Sequence, residues 1–178
     1  RSMRMLDSRT VVAGFGNPQR MRLLDIHTRE IAIIDTHEAQ GGCQAIARQD
    51  DQRFVIGCGG HICFFRIQEF SSHRDVQRAQ EIQNIRAHES VITCLAVREN
   101  VIVSGCQDNS VAVWNAINFT KIGNLPGHED TVRCVDISTA SIVASGDDGT
   151  IRLYSSETLD LIRVIRVHFK SVRHLEFV

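Results

Sequence analysis

Proline is nearly absent, with 2 residues in 178, and the 12 glycines are too few for a collagen-like or disordered chain. Nowhere do about 18 apolar residues follow one another, so no membrane-spanning helix is expected. Charge of either sign is not in excess: 20 Lys and Arg against 21 Asp and Glu leave −1, where a general nucleic-acid binder carries a basic surplus. The chain opens at Arg1 with no signal-peptide pattern. The length suits one domain with a real core.

What is present is a repeat. His88-Glu89-Ser90-Val91-Ile92-Thr93-Cys94 aligns with His128-Glu129-Asp130-Thr131-Val132-Arg133-Cys134. Val103-Ser104-Gly105 then aligns with Ala144-Ser145-Gly146, Asp108 with Asp148, and Val111-Ala112-Val113-Trp114 with Ile151-Arg152-Leu153-Tyr154. A further copy opens at His168, as far past His128 as His128 is past His88. A period of about 40 residues with a leading His and a trailing aromatic marks units that cannot stand alone and must stack on neighbours. Three of the six cysteines follow the same rule. Cys43, Cys94 and Cys134 each stand six residues after a His (37, 88, 128), as small buried hydrophobes on equivalent strands do. A reduced cytoplasmic or nuclear setting suits them better than a disulfide scaffold.

Each clean unit holds four short β-rich runs: 92–97, 101–104, 111–114 and 121–125, then 132–137, 142–145, 150–154 and 161–165. The turns between them are short enough to join only antiparallel neighbours. Four antiparallel strands recurring at this period make a propeller blade. The expected fold is therefore all-β, a sector of about four four-stranded blades. It divides into a partial blade at 1–35, blades at 36–86, 87–126 and 127–167, and a partial blade at 168–178, with an inner strand over 172–178. The blade at 36–86 is degenerate. Phe65 keeps the aromatic position, Ile56 replaces the Ser, and a polar surplus at 68–80 reads as an enlarged surface loop ahead of a strand at 82–85.

With Gly127-His128, the Ser-Gly pairs at 104–105 and 145–146, Asp108-Asn109-Ser110 and Asp148-Gly149-Thr150, the chain resembles the WD40 repeat family. Asn115 and Ser155 stand where that family has Asp after the aromatic. The resemblance implies a structural hydrogen-bonded set of His88, Ser104, Asp108 and Trp114. It implies a variant set of His128, Ser145, Asp148 and Tyr154, in which a phenol replaces the indole N–H as donor. Rings of this family close with about seven or eight blades of ~40–45 residues, so the remaining blades are expected from a parent chain or a partner.

Within the family the short turns look most like the F-box/WD-repeat substrate receptors of ubiquitin ligases. Some of those hold a phosphorylated peptide with arginines on their innermost strands, a place taken here by Arg133 and Arg173. A guanidinium fork suits phosphate because it donates two parallel hydrogen bonds. Thr93 and Gly42 hold that place in the two preceding blades, and no F-box is present.

Other chemistry is weaker. Ser104, His88 and Asp108 have the residue types of a hydrolase triad, but the set recurs in the next blade and its Ser lies within a strand. Cys58, His61 and Cys63 do not have a familiar zinc spacing. The glycines at 14–16 and 57–60 precede no helix that would present its N-terminus to phosphate. No metal, cofactor or catalytic residue is expected. The function expected is a non-catalytic scaffold for protein or peptide binding, with no nucleic-acid or membrane partner. The alternatives are the phosphopeptide receptor and the targeting region of an enzyme whose catalytic domain lies elsewhere.

Overall fold

In a computed structural model, sixteen strands among the described residues form four sheets of four, every pairing antiparallel. The structure describes residues 2–5, 10–14, 20–25, 31–35, 43–50, 52–68, 78–167, 171, 172, 175 and 177. The chain divides into two compact units, residues 1–86 and 87–178, with two sheets in each.

The first unit opens with β1 (Ser2–Met5), β2 (Thr10–Gly14), β3 (Arg20–Asp25) and β4 (Ile31–Asp35), paired in chain order. The blade expected to be partial over 1–35 thus has all four strands. Its first strand is only four residues long, yet it pairs from Ser2↔Gly14 to Met5↔Val11. The second sheet is β5 (Cys43–Arg48), β6 (Arg53–Cys58), β7 (His61–Gln68) and β8 (Arg78–Arg86). Here β8 begins at Arg78, ahead of the expected 82. The reason is pairing: β7 runs eight residues, and β8 matches it from Gln68↔Arg78 to His61↔Arg86, carrying polar Gln80 and Gln83 into the ladder. Of the loop expected at 68–80, residue 68 lies in β7 and 78–80 in β8, and 69–77 are outside the described residues.

β6 is buried along both faces from Phe54 to Cys58, which is why its sequence is nearly continuous apolar rather than alternating. Phe54 and Phe65 stack at 5.3 Å in a core shared with Ile46, Ile56, Cys58 and Cys63.

The second unit contains β9 (Ile92–Arg98), β10 (Val101–Cys106), β11 (Val111–Asn115) and β12 (Lys121–Leu125) in one sheet. Its other sheet is β13 (Val132–Ile137), β14 (Ser141–Gly146), β15 (Thr150–Ser155) and β16 (Leu161–Arg166). The two pack face to face. Val103, Val111, Val113 and Leu125 of one meet Val132, Ile142, Ala144 and Tyr154 of the other. Each fully buried side chain of the larger kind contributes about 1.5–3 kcal/mol. A side chain stitches the sheets as well: Thr93 Oγ1 on β9 donates to the Val132 carbonyl of β13 at 2.5 Å.

The departure from Asp after the aromatic is absorbed locally. Asn115 Oδ1 accepts the N–H groups of Ile117 and Asn118, and Ser155 Oγ accepts those of Glu157 and Thr158. Both turns then close on a residue with positive φ, Phe119 (61°) and Leu159 (63°). Asn and Ser therefore do the turn-building that an Asp would do.

Past β16, the inner strand expected over 172–178 is only partly described. Its described residues are in no strand, but Val172 N–H donates to the Gly146 carbonyl of β14 and Phe177 N–H to Asp136 Oδ2 of β13. Leu161, Ile162, Val164 and Ile165 of β16 remain exposed.

Candidate functional site

At one edge of the second unit, the loop ahead of each sheet's first strand meets the turn after its second strand. Backbone bonds repeat there: Gln107 N–H to the Val91 carbonyl, and Asp147 N–H to the Thr131 carbonyl. The side chains differ between the sheets.

In the first sheet the structure brings together all four residues that the resemblance grouped, and adds a fifth. Trp114 Nε1–H donates to Ser104 Oγ at 2.9 Å, and Ser104 Oγ lies 2.7 Å from His88 Nε2. His88 Nδ1 lies 2.7 Å from Ser110 Oγ, and the Ser110 hydroxyl donates to Asp108 Oδ1. Asp108 itself stands back, 3.8 Å from His88 Nδ1. Each hydroxyl has one proton, and the carboxylate only accepts, so the direction of the chain is fixed. Protons point from Trp114 to Ser104, to His88 Nε2, from Nδ1–H to Ser110 and on to Asp108. Every buried polar atom of this relay has a partner, which is what makes such a network stabilising.

The second sheet is wired otherwise, and the expected variant set needs correcting. His128 Nδ1 meets Asp148 Oδ2 directly at 2.8 Å, and the same carboxylate takes Glu129 N–H, Thr150 N–H and the Thr150 hydroxyl. Tyr154 does not replace the indole. Its hydroxyl donates to the Pro126 carbonyl at 2.9 Å, while Ser145 Oγ donates to the Val172 carbonyl at 3.0 Å. The phenol oxygen sits at the far tip of its ring, whereas the indole N–H lies on the flank. The serine is also out of place: Ala144 pairs with Val135 and Arg152 as Ser104 pairs with Leu95 and Ala112, so Ser145 stands one residue further along its strand. His128 Nε2 is buried without a hydrogen bond.

Burial dominates the electrostatics. It depresses the pKa of both His88 and His128, against the raising effect of Asp108 and Asp148, so both imidazoles favour the neutral form. Burial pushes the Asp148 carboxyl up, but hydrogen bonds from Thr150, Glu129 and His128 outweigh it and hold it at about 2. Burial also raises the Tyr154 phenol to about 12.

Ser104 is fully buried and sits between His88 and Trp114, so no substrate carbonyl can approach its oxygen. The triad-like set has no reachable nucleophile. Cys58 and Cys63 are core residues of the first unit, and His61 Nδ1 pairs with Asn84 Oδ1 at 2.8 Å. These three form no metal-binding group among the described residues. Arg133 on β13 is bound to Asp147 Oδ2 through Nε at 2.7 Å and through Nη2. Its expected companion Arg173 lies outside the described residues, as do His37, Gly42 and His168.

Sequence reasoning took Asn109 and Ser110 only as marks of the repeat and gave Asp147 no role, yet the Asn109 side-chain amide donates to the Glu129 carbonyl at 3.2 Å and ties the two loops together. A signal existed for Ser110. It stands one repeat before Thr150, and each follows an Asp by two positions.

Two stretches, residues 79–115 and 119–155, match the family model described as WD domain, G-beta repeat. No curated protein matches the sequence. Among solved structures, the chain is similar to the computationally designed Ika8 protein at 24% identity and TM-score 0.83, covering 99% of this chain and 52% of that one. It is similar to the WD40 beta propeller domain of Doa1 at 19% identity and TM-score 0.77, covering 99% and 57%. A chain of the Mitotic Checkpoint Complex gives 15% and 0.77, covering 92% and 48%. At these identities the likeness shows the fold, that of β-propeller blades. The chain spans about half the length of these structures.

Proposed function

Since residues 79–115 and 119–155 match the WD40 repeat model, we propose that the chain is a non-catalytic scaffold that holds a protein or peptide ligand on the loop edge described above. One observation carries this reading. The edge is fixed from beneath by the His88 and His128 networks, while Glu89, Gln107, Asp108, Glu129 and Asp130 point outward and exposed. A rigid frame with exposed polar side chains binds at a low ordering cost. Four of those five are carboxylates, and the nearby cation Arg133 is already joined to Asp147. The chemistry thus favours a ligand segment bearing Lys or Arg, whose attraction weakens with salt. Fluorescence anisotropy against a panel of basic and acidic peptides tests it. Glu129→Lys with Asp130→Lys should weaken the best basic peptide at least tenfold, and unchanged affinity would refute the assignment.

A second reading, a ubiquitin-ligase substrate receptor taking a phosphorylated peptide through Arg133 and Arg173, draws support from the place of Arg133 on a first strand. It requires Arg133 to exchange Asp147 for phosphate. A phosphopeptide pull-down left intact by Arg133→Glu with Arg173→Glu removes it. A third reading, the targeting region of an enzyme catalytic elsewhere, depends on the full reading frame. In each case a further sheet, from a parent chain or a partner, would cover the exposed apolar residues of β16.

A further inference from the structure

We propose that His88, Cys106 and Asp108 form a binding site for a zinc-class divalent cation. The site would clip the loop ahead of β9 to the turn after β10. Their ligating atoms all lie within 4.8 Å of one another, and His88 Nδ1 is 3.8 Å from Asp108 Oδ2. Bonds of about 2.0–2.3 Å in a tetrahedron place ligand atoms roughly 3.4–3.7 Å apart, so only small side-chain shifts close the set. One imidazole nitrogen, one thiolate and one carboxylate are the donors that zinc takes, and water from the exposed side of Asp108 completes four.

The neighbouring sheet supplies the contrast. There Gly146 pairs with Val132 as Cys106 pairs with Ile92, so a glycine takes the place of the thiol in a turn of the same length. Asp148 sits directly on His128 at 2.8 Å. In the first sheet the carboxylate stands a further ångström from its imidazole, and Cys106 brings a sulfur to the same space. The surroundings can also support a metal-bearing His88. Its proton then moves to Nε2 and is donated to Ser104 Oγ, whose own hydroxyl turns to the Ala112 carbonyl, 3.4 Å away. A second N–H donated to a fixed oxygen is the usual support for a ligating imidazole. The Ser110 hydroxyl, between His88 and Asp108 in the ion-free chain, swings aside. The Cys106 S–H bond breaks as the sulfur–metal bond forms, and its proton passes to solvent.

The test is titration of Co2+ into the reduced, metal-free purified chain, followed by thiolate-to-cobalt charge-transfer absorption. The expected result is a band saturating at one equivalent, bleached by competing Zn2+, kept in Cys134→Ser and lost in Cys106→Ser with circular dichroism unchanged. Asp108→Asn, a change on an exposed turn, should weaken cobalt binding at least tenfold. A missing band, a band that survives Cys106→Ser, or full affinity in Asp108→Asn each overturns the proposal.

Discussion

Ser104 and Ser145 look alike in the sequence, but the registers set Ser145 one place further along its strand, and replacing each by Ala should have unequal consequences. Ser104→Ala deletes the one oxygen that both Trp114 Nε1–H and His88 Nε2 use, leaving two polar atoms without a partner among buried side chains. Each such loss costs about 1–3 kcal/mol, and the pair about 2–5, since neighbours in one network do not add simply. Ser145→Ala loses a single bond to the Val172 carbonyl, worth roughly 1 kcal/mol. With a urea slope of about 2 kcal/mol per molar, the midpoints should fall by about 1–2.5 M and ~0.5 M respectively. The assay is convenient because the sequence has one Trp, and it is the relay's own donor. Its fluorescence and the far-ultraviolet dichroism can be followed in the same titration. Trp114→Phe should itself destabilise. In combination with Ser104→Ala it should cost less than the two changes summed, because the orphaned indole N–H is gone. Equal midpoints for the two serine variants would refute the relay as a unit.

Other consequences follow from the same contacts. Because burial sets the folded pKa of His88 and His128 below the unfolded 6.5, the unfolded chain binds protons first. Stability is therefore full above pH 6.5 and falls as pH drops below it, by up to about 1.4 kcal/mol per unit for each His. Asp148 acts lower down: its contribution is complete above about 3.8 and is lost as pH falls toward about 2. Urea midpoints at pH 8, 6 and 5 should decline in that order, and a flat series would contradict the neutral-imidazole wiring. Gly127→Ala should cost about 1–3 kcal/mol, since φ is 123° and the new methyl would run into the Arg152 guanidinium. A melting temperature equal to wild type would be the contrary result. Tyr154→Phe keeps the ring in the core but strands the Pro126 carbonyl. It should lose about 1 kcal/mol in urea unfolding, and no loss would mean that water replaces the phenol.

Which parts of this were legible in the sequence depends on whether they recur. The strands of the second unit and the Asn115 and Ser155 turns stand one repeat apart, so one copy vouches for the other. The first unit lacks that check. β8 starts earlier than its apolar content implies, because its register with β7 decides where it begins. The four strands at 2–35 form a whole sheet although the leading His and the Ser that mark the clean units are missing there. Hydrophobic alternation and turn spacing suffice for a blade, and the polar set is an addition to it.

The polar sets were legible as positions but not as bonds, and the strand registers explain part of the difference. In Gly146-Asp147-Asp148 the carboxylate comes within direct reach of His128. No bridging hydroxyl is then needed, and Thr150 turns to the carboxylate alone. Ser145 is not available to the set, because Ala144 takes the register place of Ser104; Ser145 binds Val172, and Tyr154 donates to Pro126. In the first sheet Asp108 stands 3.8 Å from His88 Nδ1. Ser110 must bridge, and the flank of Trp114 returns a donor to Ser104, so that five groups close into one directed chain. Matching residue types therefore indicate which loops are pinned. Whether the carboxylate touches the imidazole decides whether the pin is a single ion-pair-like contact or a relay, and Cys106, in the register place that Gly146 holds next door, lies within reach of His88 and Asp108.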